Sequence, residues 1–181
     1  MLIISLLCLI LLSLKSNFEL NLVMLSIENS NLSVDDIYFF LENPHAVKLN
    51  SLLRKKIILS YERAQKIAKN TKPVYGINTG FGPLCTKRIT SKETKSLQRN
   101  LLLSHSVGVG DPINPELARI MLLCKIKSLS MGFSGVSIEL IERLIYFFLN
   151  NLPPHVPEKG SVGASGDLSP LSHLFLQLIV A

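Results

Sequence analysis

The sequence predicts a mainly α-helical chain. Three observations carry that reading. Helix-start signals recur at Ser33, Asn114 and Ser137, the intervening segments place apolar residues at helical spacing, and no strand-like alternation of any length occurs. No internal repeat is present.

Each element has its own justification. Ser33-Val34-Asp35-Asp36 resembles a capping box with Asp in place of the usual Glu, opening a short helix that ends before Pro44. From Leu52 to Lys69, apolar residues at Leu53, Ile57, Ala64, Ile67 and Ala68 suit one helix face. Pro73 to Pro83 is a glycine-rich loop. Helical pattern resumes over Ser91–His105 and breaks at Gly108-Val109-Gly110-Asp111-Pro112. Asn114-Pro115-Glu116 supplies a capping Asn, a first-position Pro and a first-turn acid, for a helix reaching about Met131 with Gly132 as its stop. Ser137 caps a helix to about Leu149, ended by Asn151-Leu152-Pro153-Pro154. Pro170 reads as a first-turn proline of a last, strongly apolar helix, Leu171–Ala181. That helix meets no Gly, no cationic last turn and no polar tail, so the chain is expected to be the N-terminal piece of something longer.

At 181 residues, 48% hydrophobic and 18% charged, the chain has the composition of a globular domain rather than a disordered one. Its net charge of +6 comes from scattered residues. The densest basic spot, Arg54-Lys55-Lys56, shares its predicted helix with Glu62, and aromatic residues do not interleave with it, which argues against nucleic acid as a partner. Cys8, Cys85 and Cys124 are far apart and lack ligand spacing, so neither a disulfide framework nor a metal site is expected, and a reducing, cytoplasmic compartment fits best. Leu2–Leu14 is almost wholly apolar but shorter than the roughly 20 residues a membrane span needs. It has the length of a signal-peptide core without the basic flank or the cleavage site. Residues 1–23 are therefore an apolar leader or precede a true start at Met24, and residues 24–181 form the working domain.

Three segments stand out: VYGINTGFGPL (74–84), QRNLLLSHSVGVGDP (98–112) and GSVGASGDLSPLSHL (160–174). The glycines of the first are too irregularly spaced for a Walker loop or a dinucleotide fingerprint, so no nucleotide is expected. No GxSxG elbow accompanies the serines and histidines. Residues 160–170 pack seven Gly, Ala and Ser residues into eleven positions. Such a run is either a flexible loop or a place where the backbone must approach something closely.

In this order, with KIKSLSMGFSG (125–135) between the second and third, the segments resemble the aromatic amino acid lyase family. The resemblance runs from about Leu25 to the last residue and is closest to the branch acting on histidine. It implies the N-terminal part of that family's helical fold, with glycine-rich active-site loops. It also implies an electrophilic prosthetic group, 4-methylideneimidazol-5-one (MIO), formed by cyclisation of Ala164, Ser165 and Gly166. The chemistry suits the residue types: the Gly166 amide nitrogen attacks the Ala164 carbonyl where a Cβ would obstruct the fold, and Ser165 loses its hydroxyl as water. Gly160 and Gly163 would permit the bend. Asp167 would hold the loop or assist proton transfer, and the helix starting near Ser169 would aim its N-terminus at it.

By the same resemblance Tyr75 is the base that removes the substrate's β-proton. A tyrosine is ordinarily a weak acid with a pKa of about 10, so the role implies a stabilised phenolate. Ser104 and His105 occupy the substrate-selecting position, where members acting on phenylalanine or tyrosine carry Phe-Leu or His-Leu. An imidazole at His105 suits hydrogen bonding to a histidine substrate. His45, His155 and His173 read as structural. The implied activity is non-oxidative deamination of L-histidine to trans-urocanate and ammonia by a homotetramer. The alternatives are a tyrosine or phenylalanine lyase or aminomutase of the family, or an inactive truncated relative serving as a structural or binding piece. Lys127, Met131 and Glu158 depart from the usual residues of the histidine branch. Family members are more than twice as long, so part of the pocket is expected to be missing and Leu171–Ala181 to be exposed and prone to aggregate.

Overall fold

Local capping decides where most helices begin. The computed structural model describes residues 32–162 and 167–180; the expectations for residues 1–23, and for Gly163, Ala164, Ser165 and Gly166, lie outside them. Helix α1 (Val34–Glu42) opens on the expected box: Asp36 N–H donates to Ser33 Oγ at 3.1 Å, and Ser33 N–H donates to Asp36 Oδ2 at 2.9 Å. Helix α2 (Ser51–Ala68) starts where Leu53 N–H donates to Asn50 Oδ1. Helix α3 (Ser91–His105) opens on a second box, formed by Thr90 and Glu93. Helix α4 (Pro115–Ser130) is capped by Asn114 and helix α5 (Ile138–Leu149) by Ser137, as the sequence predicts. Helix α6 (Ser169–Val180) closes the described chain. Short 3₁₀ turns occupy Pro44–Ala46 and Gly82–Leu84.

Helices α1, α2, α4 and α5 enclose the core. Phe40, Ile57, Leu122, Ile126, Leu144 and Phe148 are each at most 1% exposed, and removing such side chains from water supplies most of the favourable free energy of folding. Gly132 ends α4 at φ +77°, a conformation that favours glycine. A Cβ there would also press to 2.9 Å from Lys56 Cβ, so the turn lies directly on α2.

Helix α3 packs instead against α6, and none of its described side chains is fully buried. Helix α6 bridges the two parts, because Leu174 is fully buried within the core cluster. The expectation of an exposed terminal helix is corrected here: its described side chains are buried or half-buried. A second difference is a small antiparallel ribbon, β1 (Val109–Pro112) on β2 (Pro157–Lys159), with Val109 opposite Lys159 and Pro112 opposite Pro157. Strands of four and three residues are too short to show alternation in a sequence. Among the described residues no helix is long and apolar enough to cross a membrane, and no cluster of His, Cys, Asp and Glu could hold a metal ion.

Candidate active site

The turn bearing Tyr75 is built around one buried amide. Asn78 is 1% exposed. Its Oδ1 accepts the Val74 N–H at 2.7 Å, and its Nδ2 donates to the carbonyls of Asn70 and Lys72 at 3.2 and 3.1 Å. Every polar group of the side chain is thus engaged, as a buried amide requires. Gly76 takes φ +74° beside it, which lets the chain reverse and leaves Tyr75 standing out from the turn, 62% exposed. The Tyr75 ring meets Phe81 edge to face, with centroids 5.6 Å apart.

His105 is the last residue of α3 and is held by its own helix. Its Nδ1 lies 2.9 Å from the Leu101 carbonyl oxygen and 3.1 Å from Ser104 Oγ. A carbonyl only accepts, so Nδ1 carries the proton. In the neutral ring Nε2 then has the free lone pair and is the nitrogen left for a ligand. Gln98, Leu101, Leu102 and His105 follow i, i+3, i+4, i+7 spacing and share one face of α3.

Asp167 ties together the two sides of the third segment. Its carboxylate accepts the Ser161 N–H and hydroxyl, both at 2.6 Å, and the Ser169 N–H at 2.9 Å. The Ser161 hydroxyl first, and then the Ser169 amide, hold this carboxyl below the usual aspartate range. A Cβ on Gly160 would overlap Asp167 Oδ2, so this carboxylate position depends on glycine. The group therefore sits at the entry to α6, where the unpaired amides of a helix start favour negative charge.

These three pieces meet. One cleft of about 520 Å³ is lined by Tyr75 and Phe81 from the first segment, Gln98, Leu101, Leu102 and His105 from the second, and Leu168, Leu171 and Ser172 from the third, with Phe175 next to it. Its walls are mostly apolar with a few converging polar groups, the usual character of a small-molecule site. Of the predicted residues, the fold brings Tyr75 and His105 to this cleft and Asp167 to within one residue of its lining. Ser104 does not line it; its hydroxyl lies 3.1 Å from His105 Nδ1 and donates to the Leu101 carbonyl at 3.2 Å.

The model of the aromatic amino acid lyase family matches residues 32–180. The chain belongs to the aromatic amino acid lyase family. It is 41% identical over 153 residues to a histidine ammonia-lyase of Caldanaerobacter subterraneus, which covers 84% of this chain and 30% of that protein. It is 42% identical over 155 residues to the histidine ammonia-lyase of Rattus norvegicus, covering 86% of this chain and 24% of that one. Among solved structures it is similar to a tyrosine aminomutase from Streptomyces globisporus (TM-score 0.75, 31% identity, 85% of this chain and 29% of the other). It is also similar to a histidine ammonia-lyase from Trypanosoma cruzi (TM-score 0.66, 34% identity, 78% and 27%). The chain spans about 30% of the length of the curated bacterial relatives it matches.

Family motifs pointed to Tyr75 and His105 but not to the residues that place them. Asn78 was readable only as one polar residue among glycines, since its three partners are backbone groups up to eight residues away. Gln98 and Ser172 also line the cleft, Gln98 on one helical face with His105 and Ser172 in the first turn of α6, and no motif in the sequence singles either one out.

Proposed function

We propose that this chain is the N-terminal, MIO-bearing part of a histidine ammonia-lyase, which eliminates ammonia from L-histidine to give trans-urocanate. The carrying observation is the single cleft whose walls come from all three motif segments, with Tyr75 and His105 both on it. The histidine ammonia-lyase relatives at about 40% identity support the substrate class.

In this reading the neutral His105 ring accepts the substrate's imidazole N–H at Nε2, fixed in that tautomer by the Leu101 carbonyl. Leu101, Leu171 and Phe175 pack the substrate ring and exclude water from it. Tyr75 Oη, as the phenolate, takes the β-proton, and Asn78 fixes the backbone turn that carries Tyr75. Ala164, Ser165 and Gly166 would form the MIO group, which supplies an electrophile toward the substrate's amine. The residues around that segment fit such a group: Gly160 leaves room where a Cβ would collide with Asp167, and Asp167 joins Ser161 to the start of α6. The partial positive charge at that helix start favours electron density accumulating beside it. Homotetrameric assembly and a cytoplasmic location belong to the same reading.

The likeness to a tyrosine aminomutase favours a second reading, in which the same cleft serves a lyase or aminomutase acting on another aromatic amino acid. The deciding experiment combines intact mass and peptide mapping across residues 160–174 with turnover of L-histidine, L-tyrosine and L-phenylalanine by the full-length gene product. A peptide two waters lighter at Ala164–Gly166, with urocanate as the product, is expected. The same mass loss with a β-amino acid or another aromatic acrylate as product would replace the substrate assignment. An unmodified peptide and no turnover would leave an inactive, structural relative.

A further inference from the structure

His173 carries no role in the chemistry above, yet its Nε2 accepts the Gly108 N–H at 3.0 Å across 65 residues of sequence. An accepting nitrogen is unprotonated, so the ring is neutral with its proton on Nδ1. Gly108 stands three residues beyond His105, in the stretch where α3 ends and the ribbon begins. The approach is close on every side. A Cβ at Gly108 would lie 3.1 Å from His173 Nε2, 3.1 Å from Pro157 Cβ and 3.2 Å from the Lys159 carbonyl oxygen. The chain leaving α3 is therefore held between α6 and β2, and Ser106, whose hydroxyl donates to the Leu102 carbonyl at 2.6 Å, joins that stretch to the last turn of α3.

We propose that His173 is a positioning residue for His105: through Gly108 it fixes the exit of α3, and with it the imidazole on the cleft wall. Its kinetic consequence rests on the histidine reading proposed above; its structural consequence does not. Burial pushes His173 below the ordinary histidine range, and the nearby His155 pushes it further the same way. The other titratable groups among the described side chains of the elements that meet here are Glu93, Lys95, Arg99 and His105 on α3, Asp111 on β1, Glu158 and Lys159 on β2, and Asp167 ahead of α6. A histidine depressed in the folded state stabilises the fold above its unfolded pKa of about 6.5, and that contribution is lost as pH falls below it. Once protonated, Nε2 faces another donor and the bond is gone.

The structural test uses the chain itself, with ¹⁵N-resolved NMR of the histidine rings and of the Gly108 amide. In the unmodified protein the Gly108 amide signal should follow the protonation of the His173 ring as pH is lowered. His173→Phe should displace the His105 ring signals, and Gly108→Ala, which forces the two groups apart, should do the same. His173→Gln, which returns an acceptor oxygen near the place of Nε2, should restore them. In the full-length gene product His173→Phe should raise KM for L-histidine about three- to tenfold, the worth of one such hydrogen bond, with kcat changed less. Unchanged His105 signals in both His173→Phe and Gly108→Ala would overturn the proposal. So would a displacement that His173→Gln fails to restore, since bulk rather than the acceptor would then be responsible. Absence of any histidine turnover by the unmodified full-length product would remove the proposed function, and the NMR result would still decide the role of His173.

Discussion

Tyr75 and His105 reach the same cleft by different means, and their substitutions should fail differently. Tyr75 is exposed and its ring meets Phe81 in a T-shaped contact, so Tyr75→Phe keeps the packing and removes only the phenolic oxygen. In the full-length gene product it should abolish most urocanate formation while leaving the melting temperature and the two-water mass loss unchanged. Ser165→Ala should lose both the turnover and the mass loss; near-normal urocanate from either variant would remove the assigned role. Changing Ser104-His105 to Phe-Leu should weaken histidine use relative to phenylalanine, read as the ratio of kcat/KM values. Asp167 gives the pH prediction. Its carboxyl is held below its unfolded value by the Ser161 hydroxyl and the Ser169 amide. The stabilisation is therefore present above the ordinary aspartate pKa of about 3.9 and fades as pH falls below it. Asp167→Asn should flatten this part of an acid-unfolding curve, and a curve identical to that of the unmodified protein would show that the carboxylate contributes nothing there.

Elements were legible in proportion to how local their causes are. The capping residues Ser33, Asn114 and Ser137 act on amides two or three positions away, so a short window of sequence contains the whole interaction. Thr90 and Glu93 form an equally local box, contained in four consecutive residues. The ribbon was not legible: β1 and β2 are separated by α4 and α5, and neither is long enough to show a pattern. The turn carrying Tyr75 lies between these cases. Its glycines announce a turn, but the Asn78 amide that organises it uses partners that only the folded backbone brings together. Asn78→Ala should leave an amide and two carbonyls without their partner and cost about 1–3 kcal/mol, measured by urea unfolding. A loss below the error of that measurement would mean that water replaces the side chain without strain.

At the scale of the molecule, a buried four-helix core supports a cleft built on its flank by α3 and α6. Phe148→Ala should cost about 3–5 kcal/mol by the same unfolding measurement, because Phe148 is fully buried and its removal leaves a cavity among close-packed neighbours. A much smaller loss would show that α4 and α5 can close over the gap. The candidate site was legible as a set of motifs but not as a volume, since its walls come from residues up to 100 positions apart, such as Tyr75 and Phe175. The carboxylate of Asp167 works on the opposite scale. Its bonds reach back six residues to Ser161 and forward two to Ser169. Closing so short a span costs little chain entropy, which grows with the logarithm of loop length. Nothing remote has to arrive first. The contacts that join the two sides of the stretch containing Ala164, Ser165 and Gly166 are thus local in sequence, and they can form without the ribbon or the helical core in place.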